Sequence, residues 1–132
     1  MKNISRLLGL AVGLGVLFTG MTTEAADKKK AKQLRHFVCF KYKAEASKEK
    51  IAGVEKAFAV LEKKITEIKA FEKGTNNSPE GLNKGFKHCY LITFGSEKDR
   101  DVYLVHPAHK EFVKVVGPVV EDVFVVDYWA TK

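Results

Sequence analysis

The sequence predicts a single α+β domain of the ferredoxin-like type, with the element order β-α-β-β-α-β. Segments 35–43 and 86–94 carry large apolar residues on both alternating faces, which is typical of central strands. A long amphipathic helix is expected after the first segment. After segment 86–94 we expect helical sequence that Pro107 interrupts. In this topology the first and third strands form the central pair, and both helices cover one face of the sheet.

The first half of the domain is expected to be a strand, a helix and a weaker strand. Ser47 is a favourable N-cap, and Glu49 suits the first turn of the helix. The second strand, 68–75, is expected at an edge of the sheet. Alternation places four first-strand residues on one face: His36, Val38, Phe40 and Tyr42. Spacings of three and four define the apolar stripe of the helix: Ile51, Val54, Phe58, Leu61 and Ile65.

The second half begins with a turn and ends with a strand. Residues 76–85 are rich in Asn, Gly and Pro, which favours a loop before the third strand. Ser96 with Asp99 resembles a capping box at the start of a helix. The Gly117-Pro118 pair stops the helical sequence, and residues 123–129 form the last predicted strand.

Residues before the domain are expected to direct export. Residues 1–25 have the order of a signal peptide: a short basic start, an apolar run and small residues before a cut after Ala25, with a cut after Ala26 as the alternative. Residues 26–34 predict a basic disordered leader, and 35–132 the folded domain. We therefore expect a periplasmic or secreted protein that keeps no stable membrane anchor after cleavage.

The charge distribution argues against a nucleic-acid-binding protein. The chain has a formal net charge of +7, but five of these charges lie before residue 36. The folded part is therefore almost balanced, without the basic face that nucleic acids require. The sequence also lacks a P-loop, a dinucleotide-binding glycine motif and a serine nucleophile motif. We expect no cofactor.

The sheet face opposite the helices predicts a homodimer. It would carry Phe37, Cys39, Cys89 and Leu91, and an uncovered apolar face needs a partner. The two cysteines are expected in adjacent parallel strands but offset along them, assuming that His36 lies near His88. Such an offset would leave the thiols free.

The stretch 101–112 brings three candidate site residues together. Pro107 excludes helical geometry at the preceding residue and suits the first turn of a new helix. One helix is therefore expected to end near Val105 and another to begin at Pro107. His106 would lie at the corner. The break is needed to bring Tyr103 and His109 onto one spot, because a continuous helix would place them about 120° apart.

Four segments together resemble the stress-responsive A/B barrel domain family, called Dabb: RHFVCFKYK, FKHCYLITF, YLVHPAHKEF and VFVVDYW. The resemblance covers residues 34–129, and the Tyr-x-x-His-Pro-x-His-x-x-Phe run is its most specific part. It implies a dimeric α+β barrel in which two ferredoxin-like sheets face each other. Most members of the family have no assigned chemistry.

The resemblance also implies site residues. In a plant polyketide cyclase of this family, a histidine paired with a tyrosine serves an aldol-type ring closure inside a cavity between sheet and helices. Motif matching places that histidine on His109 and that tyrosine on Tyr103. Other histidines of the cavity fall on His36 and His88, which we expect to share one pocket with them.

Three functional hypotheses follow from these residues. The preferred one is a homodimeric module that binds a small apolar or carbonyl-containing molecule, with His36, His88 and His106 as binding residues and no metal. The second is a cyclase- or lyase-type enzyme, in which His109 is the general base and Tyr103 the hydrogen-bond donor. The third is a histidine-based metal-binding protein, since imidazole suits several transition metals.

Overall fold

Four strands and three helices form the domain in the computed structural model, which describes residues 32–131. The predicted signal peptide and residues 26–31 of the predicted leader lie outside the described residues. In chain order the elements are β1 (Leu34–Tyr42), α1 (Lys48–Lys64), β2 (Ile68–Thr75), β3 (His88–Phe94), α2 (Glu97–Val105), α3 (Pro107–Val116) and β4 (Val120–Trp129). Within the described range, no helix is long and apolar enough to span a bilayer.

The sheet has the strand order β2-β3-β1-β4, and every neighbouring pair is antiparallel. The predicted ferredoxin-like fold is confirmed, as are the central position of β1 and β3 and the edge position of β2. The expectation that β1 and β3 run parallel is wrong. The crossover through α1 returns β2 to the direction of β1, and the turn after β2 then reverses β3.

Turn geometry sets the start of β3, while β4 begins earlier than its apolar run indicates. Lys84 and Gly85 both have positive φ, 53° and 85°, so the chain is still turning just before Phe86. The third strand therefore begins at His88, not at residue 86. The last strand begins at Val120, three residues before the predicted start. Leu34 belongs to β1 and is buried, so the first strand begins one residue before the predicted segment.

An aromatic cluster fills the space between the sheet and the helices α1 and α3. We use this name for Phe40, Phe58, Tyr90 and Phe112, all of which are buried. The Phe58 ring centroid lies 4.4 Å from that of Phe112 and 4.7 Å from that of Tyr90. Ser47 caps α1 as predicted, with its side chain accepting from the amide of Lys50. The capped helix presents Phe58 to the middle of the sheet.

The sheet face opposite the helices, called the outer face here, carries Phe37 and Leu91 as predicted and also Phe124 and Val126 of β4. The side chains of these two β4 residues are exposed. The partner of Cys39 in the β1–β3 register is Cys89. The expected offset between the two cysteines is therefore wrong, and their Sγ atoms lie 3.2 Å apart as free thiols.

Candidate functional site

The corner between α2 and α3 forms as the proline break predicts. The Ser96 side chain accepts from the amide of Asp99 and caps α2, which ends at Val105. His106 is extended, with φ −63° and ψ 136°, and Pro107 is the first residue of α3. His106 Nδ1 accepts from the amide of Ala108 at 3.1 Å, so this imidazole caps α3. One ring nitrogen of this predicted binding residue is thus occupied by the backbone.

Tyr103 and His109 meet beneath this corner. Their ring centroids are 4.3 Å apart, and Tyr103 is only 1% exposed. His109 Nδ1 lies 3.2 Å from the carbonyl oxygen of Leu104. A carbonyl can only accept, so Nδ1 carries the proton and Nε2 keeps a free lone pair. The corner therefore holds the imidazole in the tautomer that can accept a proton.

His36 approaches the same tyrosine from the sheet. Its ring centroid lies 5.6 Å from that of Tyr103 in an edge-on arrangement. His36 Nδ1 is 2.6 Å from Asp127 Oδ1, and Arg100 Nη1 donates to Asp127 Oδ2 at 2.8 Å. The carboxylate accepts from Nδ1–H, which leaves Nε2 as the ring nitrogen available to another partner. We call Tyr103, His109 and His36 the corner cluster.

Burial and charge adjust the protonation of these groups. Burial lowers the pKa of His109, and the neighbouring imidazoles of His36 and His106 lower it further against the opposing effect of the Leu104 carbonyl. Burial raises the pKa of Tyr103, and the charge of Asp127 adds to this. At neutral pH the cluster therefore pairs a neutral imidazole with a protonated phenol.

Asp127 is the charged residue that anchors His36, the member of the corner cluster that belongs to the sheet. Burial alone would raise the pKa of its carboxyl group, but hydrogen bonds from His36 and Arg100 outweigh burial and lower it. The carboxylate therefore stays ionised at neutral pH. It holds the imidazole of His36 in one tautomer and one orientation.

His88 does not join the corner cluster. It pairs with Phe40 in the sheet register, whereas His36 pairs with Ile92, so the two histidines are roughly 13 Å apart along the strands. The expected proximity of His36 and His88 is wrong, because the strands are antiparallel. His88 Nδ1 instead lies 3.2 Å from Glu55 Oε1.

A second polar group surrounds His88 at the other end of the sheet. Lys73 Nζ donates to Glu55 Oε2 at 2.9 Å, and this hydrogen bond is the main cause that lowers the pKa of Glu55. The hydroxyls of Tyr42 and Tyr90 are 3.2 Å apart, and the Tyr42 ring packs edge-on to His88. Tyr90 is shared with the aromatic cluster, and Phe112 of that cluster lies 6.3 Å from the His109 ring between centroids.

Two clefts are open on the helix side of the domain. A groove of about 410 Å³ between α1 and α3 has an apolar floor that includes Ala57, Val60 and Phe112. A smaller cleft of about 100 Å³ is lined by Glu55 and Tyr90, among other residues. Neither cleft is lined by a member of the corner cluster. The pocket that we expected Tyr103, His109 and the strand histidines to share is therefore not one of these two clefts.

Sequence reasoning did not identify the charged partners of the histidines. Asp127 interrupts an otherwise apolar run, VFVVDYW, and its position on the helix side of β4 is a signal that could have been used. Arg100 and Glu55 lie on helix faces that look solvated in the sequence, and no comparable signal marks them. Within residues 32–131, no three side chains among His, Cys, Asp and Glu converge as a metal site.

The family can be decided from residues 34–130, which match the family model of the Stress responsive A/B Barrel Domain. The chain belongs to this family. A relative from Arabidopsis thaliana, the stress-response A/B barrel domain-containing protein HS1, is 35% identical over 75% of this chain and 91% of its own length. Olivetolic acid cyclase from Cannabis sativa is 25% identical over 75% of this chain and 98% of its own.

Solved structures show the same fold. A hydroxynitrile lyase from Passiflora edulis has a TM-score of 0.72 and 29% identity, covering 77% of this chain and 96% of its own. A dimeric ferredoxin-like protein from Thermobifida fusca has a TM-score of 0.65 and 19% identity, covering 76% and 93%. Relatives of this stress-response domain thus include a cyclase and a lyase, and its structural neighbours include dimers.

Proposed function

We propose that this stress-response domain is an exported, homodimeric protein that binds a small carbonyl-containing molecule at the corner cluster. The observation that supports this most is the pair of anchored histidines around Tyr103. The Nδ1 atoms of both are held by acceptors, Asp127 and the Leu104 carbonyl, so Nε2 of each ring is the nitrogen left for a ligand. Burial raises the pKa of Tyr103, so its phenol stays protonated and can donate to a ligand oxygen.

The surroundings favour a ligand with an apolar body and one or two oxygens. Phe94 packs against Tyr103 at 5.2 Å between ring centroids, and Phe112 lies 6.3 Å from the His109 ring. Apolar walls with a few placed polar groups are typical of small-molecule sites. A carbonyl oxygen accepts from a phenol, and a hydroxyl on the same molecule can donate to an imidazole.

Binding can be tested by adding benzaldehyde as the probe to the isotope-labelled protein and recording two-dimensional NMR spectra. We expect shifts concentrated at residues around Tyr103 and His109. Tyr103→Phe should weaken binding by about tenfold, because a net hydrogen bond contributes about 1–1.5 kcal/mol. His88→Gln is the matched control, since it alters a histidine at the far end of the sheet. Equal weakening by both variants, or shifts confined to the α1–α3 groove, would contradict the proposed site.

A second candidate function is acid–base catalysis at the same cluster. The specific observation in its favour is that His109 is both neutral, through burial, and fixed with Nε2 unprotonated. Such an imidazole can take a proton next to a carbonyl while the Tyr103 hydroxyl stabilises the developing oxyanion. The relatives named as a cyclase and a lyase support this reading.

The homodimer is proposed to form through the outer face. Phe124 is 46% exposed and Val126 is 40% exposed there, which is unusual for apolar side chains on a sheet. Phe124→Asp should convert a dimer into a monomer at micromolar concentration in light scattering, because it would bury an unpaired charge at the interface. Leu82→Asp is the control, since Leu82 is 71% exposed in the β2–β3 loop. A monomeric parent protein would refute the dimer.

A further inference from the structure

The two cysteines occupy the centre of the outer face. They are directly opposed on the central strands β1 and β3, with Sγ atoms 3.2 Å apart. Directly opposed residues of antiparallel strands have Cα atoms about 4.5–5.5 Å apart. Disulfides bridge Cα separations of about 4.4–6.8 Å. The backbone therefore already meets the requirement for a bond, and rotation of the two side chains can close the remaining gap between the sulfurs.

We propose that Cys39 and Cys89 form a cross-strand disulfide within one protomer, by exchange with a small-molecule disulfide. In the first step the Cys89 thiolate attacks the small disulfide, forms a mixed disulfide and releases one thiolate. Cys39 then loses its proton and attacks Cys89 Sγ, which releases the second thiolate. Two cysteine thiols are thereby oxidised, and one small disulfide is reduced to two thiols.

The burial of each thiol determines which cysteine reacts first. Cys39 is buried, with 6% exposure, and burial is the main cause that raises the pKa of its thiol to about 12. A thiol that stays protonated is a poor initial nucleophile. Cys89 is half-buried, and its neighbour in β2 is Gly74, which has no side chain to cover it. Cys89 is therefore the sulfur that an incoming disulfide can reach more easily.

The proposal can be tested by refolding the purified protein from denaturant in a buffer of reduced and oxidised glutathione. We expect the loss of two hydrogen atoms in intact mass, no titratable thiol in the monomer-sized band, and a linked peptide containing Cys39 and Cys89. The bond closes a long loop, so the melting temperature should rise by on the order of 10 °C relative to the reduced protein. Refolding removes any barrier that a dimer partner places over the outer face.

Two variants make the result specific. Cys39→Ser and Cys89→Ser should each keep one cysteine that forms only mixed disulfides with glutathione. Two titratable thiols in the wild-type protein after refolding, or disulfides only between chains, would overturn the proposal. Loss of ligand binding at the corner cluster would not bear on it, because the thiols lie on the opposite face of the sheet.

Discussion

His109→Gln is expected to reduce turnover of a carbonyl-forming probe by about 10²–10⁴-fold, the usual contribution of a positioned general base. Glutamine can still donate to the Leu104 carbonyl, but it cannot take up a proton. Mandelonitrile is a suitable probe, since its cleavage by a lyase-type reaction releases benzaldehyde, which absorbs in the ultraviolet. Tyr103→Phe should cost about 10²–10³-fold, because it removes the hydroxyl donor to the developing oxyanion.

The pH profile separates a base from a merely structural histidine. Burial lowers the pKa of His109 below its usual value near 6.5. The imidazole therefore stays neutral to a lower pH than an ordinary histidine does, and the rate should fall only as the pH drops through this lowered pKa. His88→Gln should keep the wild-type rate and profile. If the protein cleaves mandelonitrile no faster than buffer alone does, the catalytic candidate is rejected. The binding proposal is tested separately, by the NMR experiment with benzaldehyde.

Phe58→Ala is expected to lower the free energy of unfolding by about 3–5 kcal/mol, the range for removing a buried phenylalanine. Phe58 is 1% exposed and stacks on Phe112, with Tyr90 and Phe40 beside it. Its removal leaves a cavity between α1 and the sheet that these rings cannot close without losing their own contacts. Domains of this size are stable by only about 5–15 kcal/mol, so the loss is a large fraction of the total.

Urea unfolding followed by circular dichroism would measure this loss. Leu82→Ala is the control, because an exposed loop residue should change stability by less than about 0.5 kcal/mol. A loss below about 1.5 kcal/mol for Phe58→Ala would mean that the aromatic cluster repacks easily.

The fold was predictable because its signals are local. Ser47, Ser96 and Pro107 are each sufficient to place a helix end, and the structure confirms all three. The break at Pro107 also predicts that Tyr103 and His109 meet, although six residues separate them. These predictions need only short-range rules for capping and backbone geometry.

The partners of the histidines depend on strand direction and register, which local rules do not specify. Once β1 and β3 are antiparallel, Cys39 faces Cys89 and His36 moves far from His88. The contact between His36 and Asp127 joins residues 91 positions apart, so no spacing in the sequence reveals it. An error in the relative direction of two strands therefore misplaced two cysteines and one histidine together.

The two edges of the sheet are protected very differently. β2 is eight residues long and carries Lys69, Glu72 and Lys73, charges that discourage another strand from pairing with it. β4 is ten residues long and exposes apolar side chains on both faces: Val123, Phe124, Val125, Val126, Tyr128 and Trp129. A long apolar edge is a template for uncontrolled strand addition. Newly made chains should thus be most vulnerable to aggregation along β4. A partner subunit that covers this strand would therefore also protect the chain from aggregation.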